Sequence, residues 1–433
     1  MPNWLIPIIY AAVSIACSLV LPRIESAYFA AYTIGTSVAS AQAFLSAAAS
    51  GTMALTGIVF AIAFVMVQFS AIAYSPRLVL WFARDQTLFH SLGIFVATFL
   101  YSLATLAWID RGGSGRVPLF STLLVGVLLI VSVLLFSWMV QRISDLQITN
   151  VLQLIGNKGR EVIREMFRGL DQGQAAKRAR RIESADNAGL SPVVQTLAYA
   201  GEPQTIARFD IAGLVRQAQQ AGATIVMACA VGDTIMEGTT VLGLHALGGM
   251  KCQLPEQELM CCVHLGRGRT FEQDPKFPIR LLVDIAIKAL SPAINDPTTA
   301  VQAIDQIEDL MRRLGRQNLD AGYVRDANGV LRLVFPMPTW EDYLALAFDE
   351  IRQYGATSVQ VMRRLRSALI GIADTMTIPE RAGAIERYIE HLDLAIKNSP
   401  LDSEDQVTAR QEDRQGLGLS RKPTKPQASQ SHD

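Results

Sequence analysis

Polar residues that could do chemistry gather along one stretch of this chain: Arg267, Arg269, Asp274, Asp284, Lys288, Asn295 and Asp296. An acid–base or hydrolytic centre there would need a carboxylate pair, or a base within reach of a nucleophile. The sequence supplies no serine–histidine–aspartate order, no phosphate-binding glycine–lysine run and no histidine beside the cluster. Packing roles account for the same residues. Asp284 and Lys288 have the i,i+4 spacing of a helical ion pair, and Asp296 stands where a helix cap belongs. The arginines can bind carboxylates or carbonyls between subdomains. A structural cluster is expected, with a small-ligand or ion-sensing site as the alternative, and no enzyme.

Cys261-Cys262-Val263-His264 offers metal-ligand residue types in a second place. Structural zinc favours cysteines separated by roughly two to four residues, whereas neighbours on a strand point to opposite faces. These read as ordinary strand residues, and neither a metal nor a cofactor is expected. The five cysteines show no disulfide-framework spacing, which suits a reducing compartment.

A third pattern lies in an apolar segment. Ser46, Ser50, Gly57, Ala61 and Gln68 fall on one side of a helix that advances about 100° per residue. Small residues there let helices approach closely, Gly57 with Ala61 being a small-xxx-small step. The same stripe could line a pore in an oligomer, with Gln68 near its inner end and Arg77 at its cytoplasmic mouth.

The elements that must carry these residues follow from charge distribution. Eight charged residues occupy the first 140 positions, and the other seventy follow. Apolar runs at about 4–21, 52–73, 88–109 and 119–140 each approach the ~20 residues needed to cross a bilayer core. Pro22 closes the first run, and residues 24–48 read as an external helix near the interface. A cleaved signal would want a basic start, which Met1-Pro2-Asn3-Trp4 lacks. Arg77, Arg84, Arg142, Lys158, Arg160, Arg164 and Arg168 flank one side of the membrane, against Arg23, Arg111 and Arg116 on the other. The positive-inside rule then places both termini in the cytoplasm of a bacterial inner membrane. Net charge is zero, so nothing favours nucleic acid.

Beyond residue 140 the chain reads as four pieces. Residues 141–189 form a helical stalk and basic linker, in which Ile148, Leu152, Ile155, Gly159, Val162 and Met166 make a seven-residue repeat. That repeat packs on its own domain or forms a self-association seam. The basic run Lys177-Arg178-Ala179-Arg180-Arg181 closes it. Residues 190–265 form a β-rich module whose Gly232-Asp233 and Gly238 turns suggest a small barrel-sandwich, without the lysine that a lipoyl or biotinyl group needs. Residues 266–398 are mostly helical, with single helices expected over 340–369 and 379–396. Residues 399–433 are polar and expected to be disordered.

The run Leu282 to Ala300, containing Ser291-Pro292-Ala293-Ile294-Asn295-Asp296-Pro297, resembles the bacterial predicted membrane protein family DUF2254. So do Tyr74-Ser75-Pro76-Arg77, the Gly232-Asp233 and Gly238 turn, and Gly266-Arg267-Gly268-Arg269-Thr270 leading to Gln273-Asp274-Pro275. The chain departs from the family at Ala71–Tyr74, which is less polar, and at Ala293, where relatives often carry glycine. The resemblance implies architecture and location, and no established activity. The expected fold is an α-helical membrane domain of four spans plus a cytoplasmic α+β region with a barrel-sandwich-like module and a helical C-terminal domain. The expected function is an oligomeric channel-like membrane protein with a cytoplasmic regulatory domain. A non-conducting scaffold or signalling protein, binding a cytoplasmic partner or ion, is the alternative.

Overall fold

Apolar length decides the first four helices: α1 (Leu5–Tyr28), α2 (Val38–Ala73), α3 (Gln86–Leu106) and α4 (Leu119–Ser144). All four are long and apolar enough to cross a membrane. The structure, a computed structural model, describes residues 4–28, 37–73, 86–109, 117–144, 147–171, 192–246, 253–319 and 322–417. The chain divides into two compact units, residues 1–151 and 152–433, each described by itself. Arg77, Arg84 and the 177–181 basic run lie outside the described residues.

In the first unit α3 is central, packing against α1, α2 and α4. Gly93 makes room for the Tyr10 ring, which lies 2.6 Å from where a Cβ would stand. Ser14 donates from α1 to the Ala97 carbonyl at 2.7 Å. Thr52, Thr56, Ser102 and Ser132 each donate to the carbonyl four residues back, so their hydroxyls are satisfied inside their own helices.

Two expectations change here. Residues 24–28 belong to α1, which passes through Pro22, and residues 38–48 are the first three turns of α2. Ala41, Leu45 and Ala48 are buried in the core with Tyr101 and Val125, so this stretch is not an interface helix. Its alanines favour helix, its small residues allow close packing, and neither glycine nor proline interrupts them before Gly51. The helix through Pro22 has a use. It delivers Glu25, 6% exposed, to the start of α4. There the carboxylate accepts from the Phe120 and Ser121 amides (2.8 and 3.2 Å) and from Ser121 Oγ (3.1 Å). A helix start inside an apolar bundle needs such acceptors, and its dipole favours a negative charge.

The second unit takes in most of α5 (Ile148–Asp171). Leu152, Ile155, Val162, Ile163 and Phe167 are buried. A Cβ on Gly159 would lie 2.8 Å from the Leu310 methyls and 3.2 Å from Pro278. Arg160 reaches Asp309 at 2.8 Å. The seven-residue repeat therefore packs into its own unit, not into a free stalk or a seam between copies.

The expected barrel-sandwich is replaced by two open sheets. One has the order β1 (Val193–Ala198), β5 (Thr240–Ala246), β3 (Ala223–Met227), β8 (Leu331–Val334), β7 (Tyr323–Arg325). The other has β4 (Thr234–Ile235), β2 (Gln204–Phe209), β6 (Val263–Gly266). The cause is a long-range pairing: β3 takes β8 in parallel register, Ile225 opposite Leu333. That edge is then unavailable for closing a barrel. Gly232 (φ 92°) and Gly238 (φ 82°) do turn the chain as their spacing suggested. Helix α6 (Ile211–Gln220), capped by Asp210, packs on β3 and β8.

The remaining helices follow. Helix α7 (Glu256–Cys261) ends at Cys262, so the two cysteines close a helix, not a strand. Helices α8 (Lys276–Ala289) and α9 (Pro297–Leu314) pair as a hairpin. The single helix expected over 340–369 is broken into α10 (Trp340–Leu344), a π-helical turn (Ala345–Asp349), α11 (Glu350–Tyr354) and α12 (Val359–Ala373). Gly355 ends α11, and the Ser358 side chain caps α12. After α13 (Pro379–Lys397) the chain does not become disordered at 399: it forms α14 (Ser403–Ala409) and continues to Gly416, lying against Val301.

Glu25→Ala should lower the thermal midpoint of the detergent-solubilised protein by the equivalent of about 1–2 kcal/mol, with Glu25→Gln recovering part of it. An unchanged midpoint would show that the α4 amides find other acceptors. Ile155→Lys should unfold the second unit, burying a charge at a cost of ~3 kcal/mol or more. Circular dichroism should therefore register lost structure, and a change of size with the fold intact would restore the seam.

Candidate functional site

Helix α8 is apolar nearly all round: Ile279, Leu281, Leu282, Val283, Ile285 and Ala286 are each 1% exposed or less. The expected polar cluster is consequently spread along and beyond this helix instead of converging. Fourteen residues at a rise of 1.5 Å make α8 about 21 Å long.

At the far end Asp296 Oδ1 accepts from the Thr299 amide (3.1 Å), and Oδ2 from the Thr299 hydroxyl (2.6 Å), capping α9 as its position suggested. Asn295 adopts φ 47° and is exposed. Its amide returns to Ser291 and that of Asp296 to Ala289, both at 2.8 Å, so the turn closes α8 while opening α9. Midway, Asp284 is held by Arg280 at 2.6 Å, and Arg280 also clasps Glu350 through two nitrogens at 2.5 and 2.8 Å. Lys288 is half-buried and Arg267 exposed. These residues describe a connector and its struts.

The near end is different. Gln273, at φ 50°, uses its side-chain amide as a strand would: the Phe209 amide donates to Oε1 (2.9 Å) and Nε2 donates to the Phe209 carbonyl (3.0 Å). That clasp fixes the start of α8 to β2. Next to it Asp274 is 2% exposed. Its Oδ1 accepts from the Lys276 amide at 3.2 Å, but its Oδ2 has no hydrogen bond. Arg269 Nε lies 3.5 Å from Oδ2, an ion-pair distance, while its hydrogen is directed to the Gly232 carbonyl at 3.2 Å. Burial pushes the Asp274 carboxyl above its ordinary value, with Arg269 and Lys276 opposing the shift. The Tyr343 hydroxyl is buried without a hydrogen bond, and burial together with the Asp274 charge pushes it up too.

Asp274 belongs to the wall of a cleft of about 700 Å³ in the second unit. That is the size of an ordinary small-molecule site. Val162, Met166, Val215, Phe271, Phe335 and Met337 supply its apolar surface. Glu165, Arg208, Glu272 and Lys276 supply charge, Arg208 pairing with Glu272 at 3.1 Å. Of the expected cluster only Asp274 lines this cleft, with Arg269 behind it. The apolar lining was not singled out from sequence. Its one local signal is Pro336-Met337-Pro338, where two prolines hold a methionine in extended backbone.

In the first unit the α2 stripe is exposed throughout: Ser46, Ser50, Gly57, Ala61 and Gln68. The buried face of α2, carrying Leu45, Ala49, Thr52, Thr56 and Val59, lies about 130° around the helix. Nothing stands within 4 Å of a Cβ built on Gly57. Among the described residues no group of three or more histidines, cysteines, aspartates or glutamates could hold a metal.

Because the Asp274 pKa is higher folded than unfolded, the native state binds that proton more tightly. This group thus favours folding increasingly as pH falls through its folded pKa, and costs stability above it. Asp274→Asn keeps an acceptor for the Lys276 amide and removes the charge. Its thermal midpoint should match or exceed wild type near neutral pH, and the gap should close towards the ordinary carboxylate range. A gap that widens on acidification would mean that Arg269 outweighs burial.

Comparison with known proteins agrees with the helical half of this description. The chain is similar to the uncharacterized protein Rv1290c of Mycobacterium tuberculosis, at 28% identity over 367 residues, covering 83% of this chain and 68% of the relative. The uncharacterized protein Mb1321c of Mycobacterium bovis matches with the same identity and coverage. No solved structure matches the chain. Residues 2–370 match the model of a family described as predicted membrane protein (DUF2254), with four helices fit to span a bilayer, and the chain belongs to that family.

Proposed function

We propose that this is a membrane protein whose soluble unit binds a small molecule and thereby regulates the four-helix unit. The observation that carries this reading is the cleft at the start of α8, apolar on most sides, with Asp274, a buried carboxylate short of one hydrogen bond, among the residues of its wall. A purely structural core has little reason to keep such a charge beside an opening of this size. The arrangement offers recognition and no reaction: no nucleophile with a paired base lines the cleft. We read the protein as a non-enzyme on that basis. The arginine distribution supports a cytoplasmic soluble unit in a bacterial inner membrane.

The regulated output is channel-like in this proposal. The exposed α2 stripe supports it, since a face of small and weakly polar residues suits an axis shared by several copies. If so, purified protein in planar bilayers should pass discrete currents, and Gln68→Leu should reduce them by making the inner end less wettable. Gly57→Leu should reduce them further, by placing bulk on the axis. A reporter fused after Lys158 should behave as cytoplasmic, and one at Gly113 as external. Silent bilayers across voltage, tension and salt would leave the non-conducting scaffold, which needs the same cleft and no axis.

A further inference from the structure

We infer that the cleft takes an uncharged aromatic molecule. This rests on the ligand-binding reading above and names its ligand class. The charges around the opening cancel. Arg208 pairs with Glu272 at 3.1 Å, and Arg269, behind the wall, stands 3.5 Å from Asp274, whose side chain is 1% exposed. Glu165 and Lys276 are the remaining acid and base of the lining. They are equal and opposite, so a ligand charge drawn to one is repelled by the other. Glu165, Arg208 and Glu272 are also exposed, where water and salt screen their fields. A charged ligand would give up its hydration for a site that holds no net opposite charge. An uncharged one gives up far less.

The wall specifies the body. Val162 and Phe335 in it are buried, and Met166, Val215, Phe271 and Met337 are half-buried. Both rings are braced by other rings. Phe271 lies 5.1 Å from Phe277, centroid to centroid, and Phe335 meets Phe209 edge-on at 6.3 Å. Phe277 and Phe209 are themselves buried, which limits how far either wall ring can move. Pro336 and Pro338 restrict the backbone on each side of Met337. Rings and thioethers fixed in this way favour a further ring, through edge or offset contacts and through sulfur–ring contacts. A rigid ligand also loses little internal freedom on binding, whereas a flexible chain of the same size must freeze several torsions.

The test uses full-length protein in lipid nanodiscs and four probes: 2-naphthylmethanol, 2-naphthylmethylamine, 2-naphthoate and undecan-1-ol. The first three share a ring system and differ in charge near neutral pH, and undecanol matches the naphthyl alcohol in carbon count without a ring. Binding is read by saturation-transfer NMR, with empty nanodiscs as the blank for partition into lipid. The naphthyl alcohol should bind saturably, about tenfold more tightly than the amine or the naphthoate, as the cost of desolvating one unpaired charge allows, and a few-fold more tightly than undecanol. Ala212→Trp fills the opening from an exposed position of α6 and should abolish that binding with the circular dichroism unchanged. Val215→Trp, one turn further along α6, should do the same. Arg208→Gln unbalances the charges at an exposed residue, so it should strengthen the amine a few-fold and leave the naphthyl alcohol unchanged. An amine or naphthoate bound as tightly as the naphthyl alcohol, and lost in Ala212→Trp, would overturn the preference for an uncharged ligand while the cleft stays a binding site. Undecanol bound as tightly would overturn the aromatic preference in the same way. Absence of any binding sensitive to Ala212→Trp or Val215→Trp would overturn the cleft itself, and the ligand-binding reading with it.

Discussion

Helix α8 is buried on all but the strip that carries Arg280, Asp284 and Lys288, and this constraint organises the second unit. Its apolar residues from Phe277 to Ala289 pack against α9, the π-helical turn and α11. The open amides and carbonyls of the two termini must then be met locally. At one end the Ser291–Asp296 turn returns its amides to Ala289 and Ser291 and caps the next helix in the same six residues. At the other, Asp274 turns back onto the Lys276 amide while Gln273 grips Phe209. The polar residues beyond the two ends of α8 follow from how apolar its buried faces are.

The two ends are satisfied to different degrees, and that difference separates structure from a candidate for function. Both Asp296 oxygens are hydrogen-bonded, whereas one Asp274 oxygen is not. Leaving a buried charge short of a partner costs stability. The deficit lies where the chain also leaves space, between α5, α6, the start of α8 and the segment after β8. A stability cost located beside a cleft is the usual mark of a site kept for recognition.

The membrane unit solves the same problem differently. The hydroxyls of Thr52, Thr56, Ser102 and Ser132 return to their own helices, and Glu25, the buried acid among the described residues of this unit, takes the free amides at the start of α4. Among the described residues the α2 stripe stays exposed.

The sequence alone determined the membrane half in outline, since length and apolarity of a segment are local properties. It also determined the cap at Asp296 and the positive-φ turns at Gly232 and Gly238, because each involves residues only a few positions apart. Tertiary structure decided what depends on distant partners. The parallel pairing of β3 with β8, more than a hundred residues away, opened the expected barrel into a sheet. The seven-residue repeat of α5 has the periodicity of a seam and of a core face alike, and only Leu310 and Pro278 against Gly159 settle which it is. Asp274 and Asp296 look alike in sequence as acids beside a proline. One became a finished cap and the other part of the wall of a cleft, because Val162 of α5, Val215 of α6 and Phe335 after β8 are brought to the same opening.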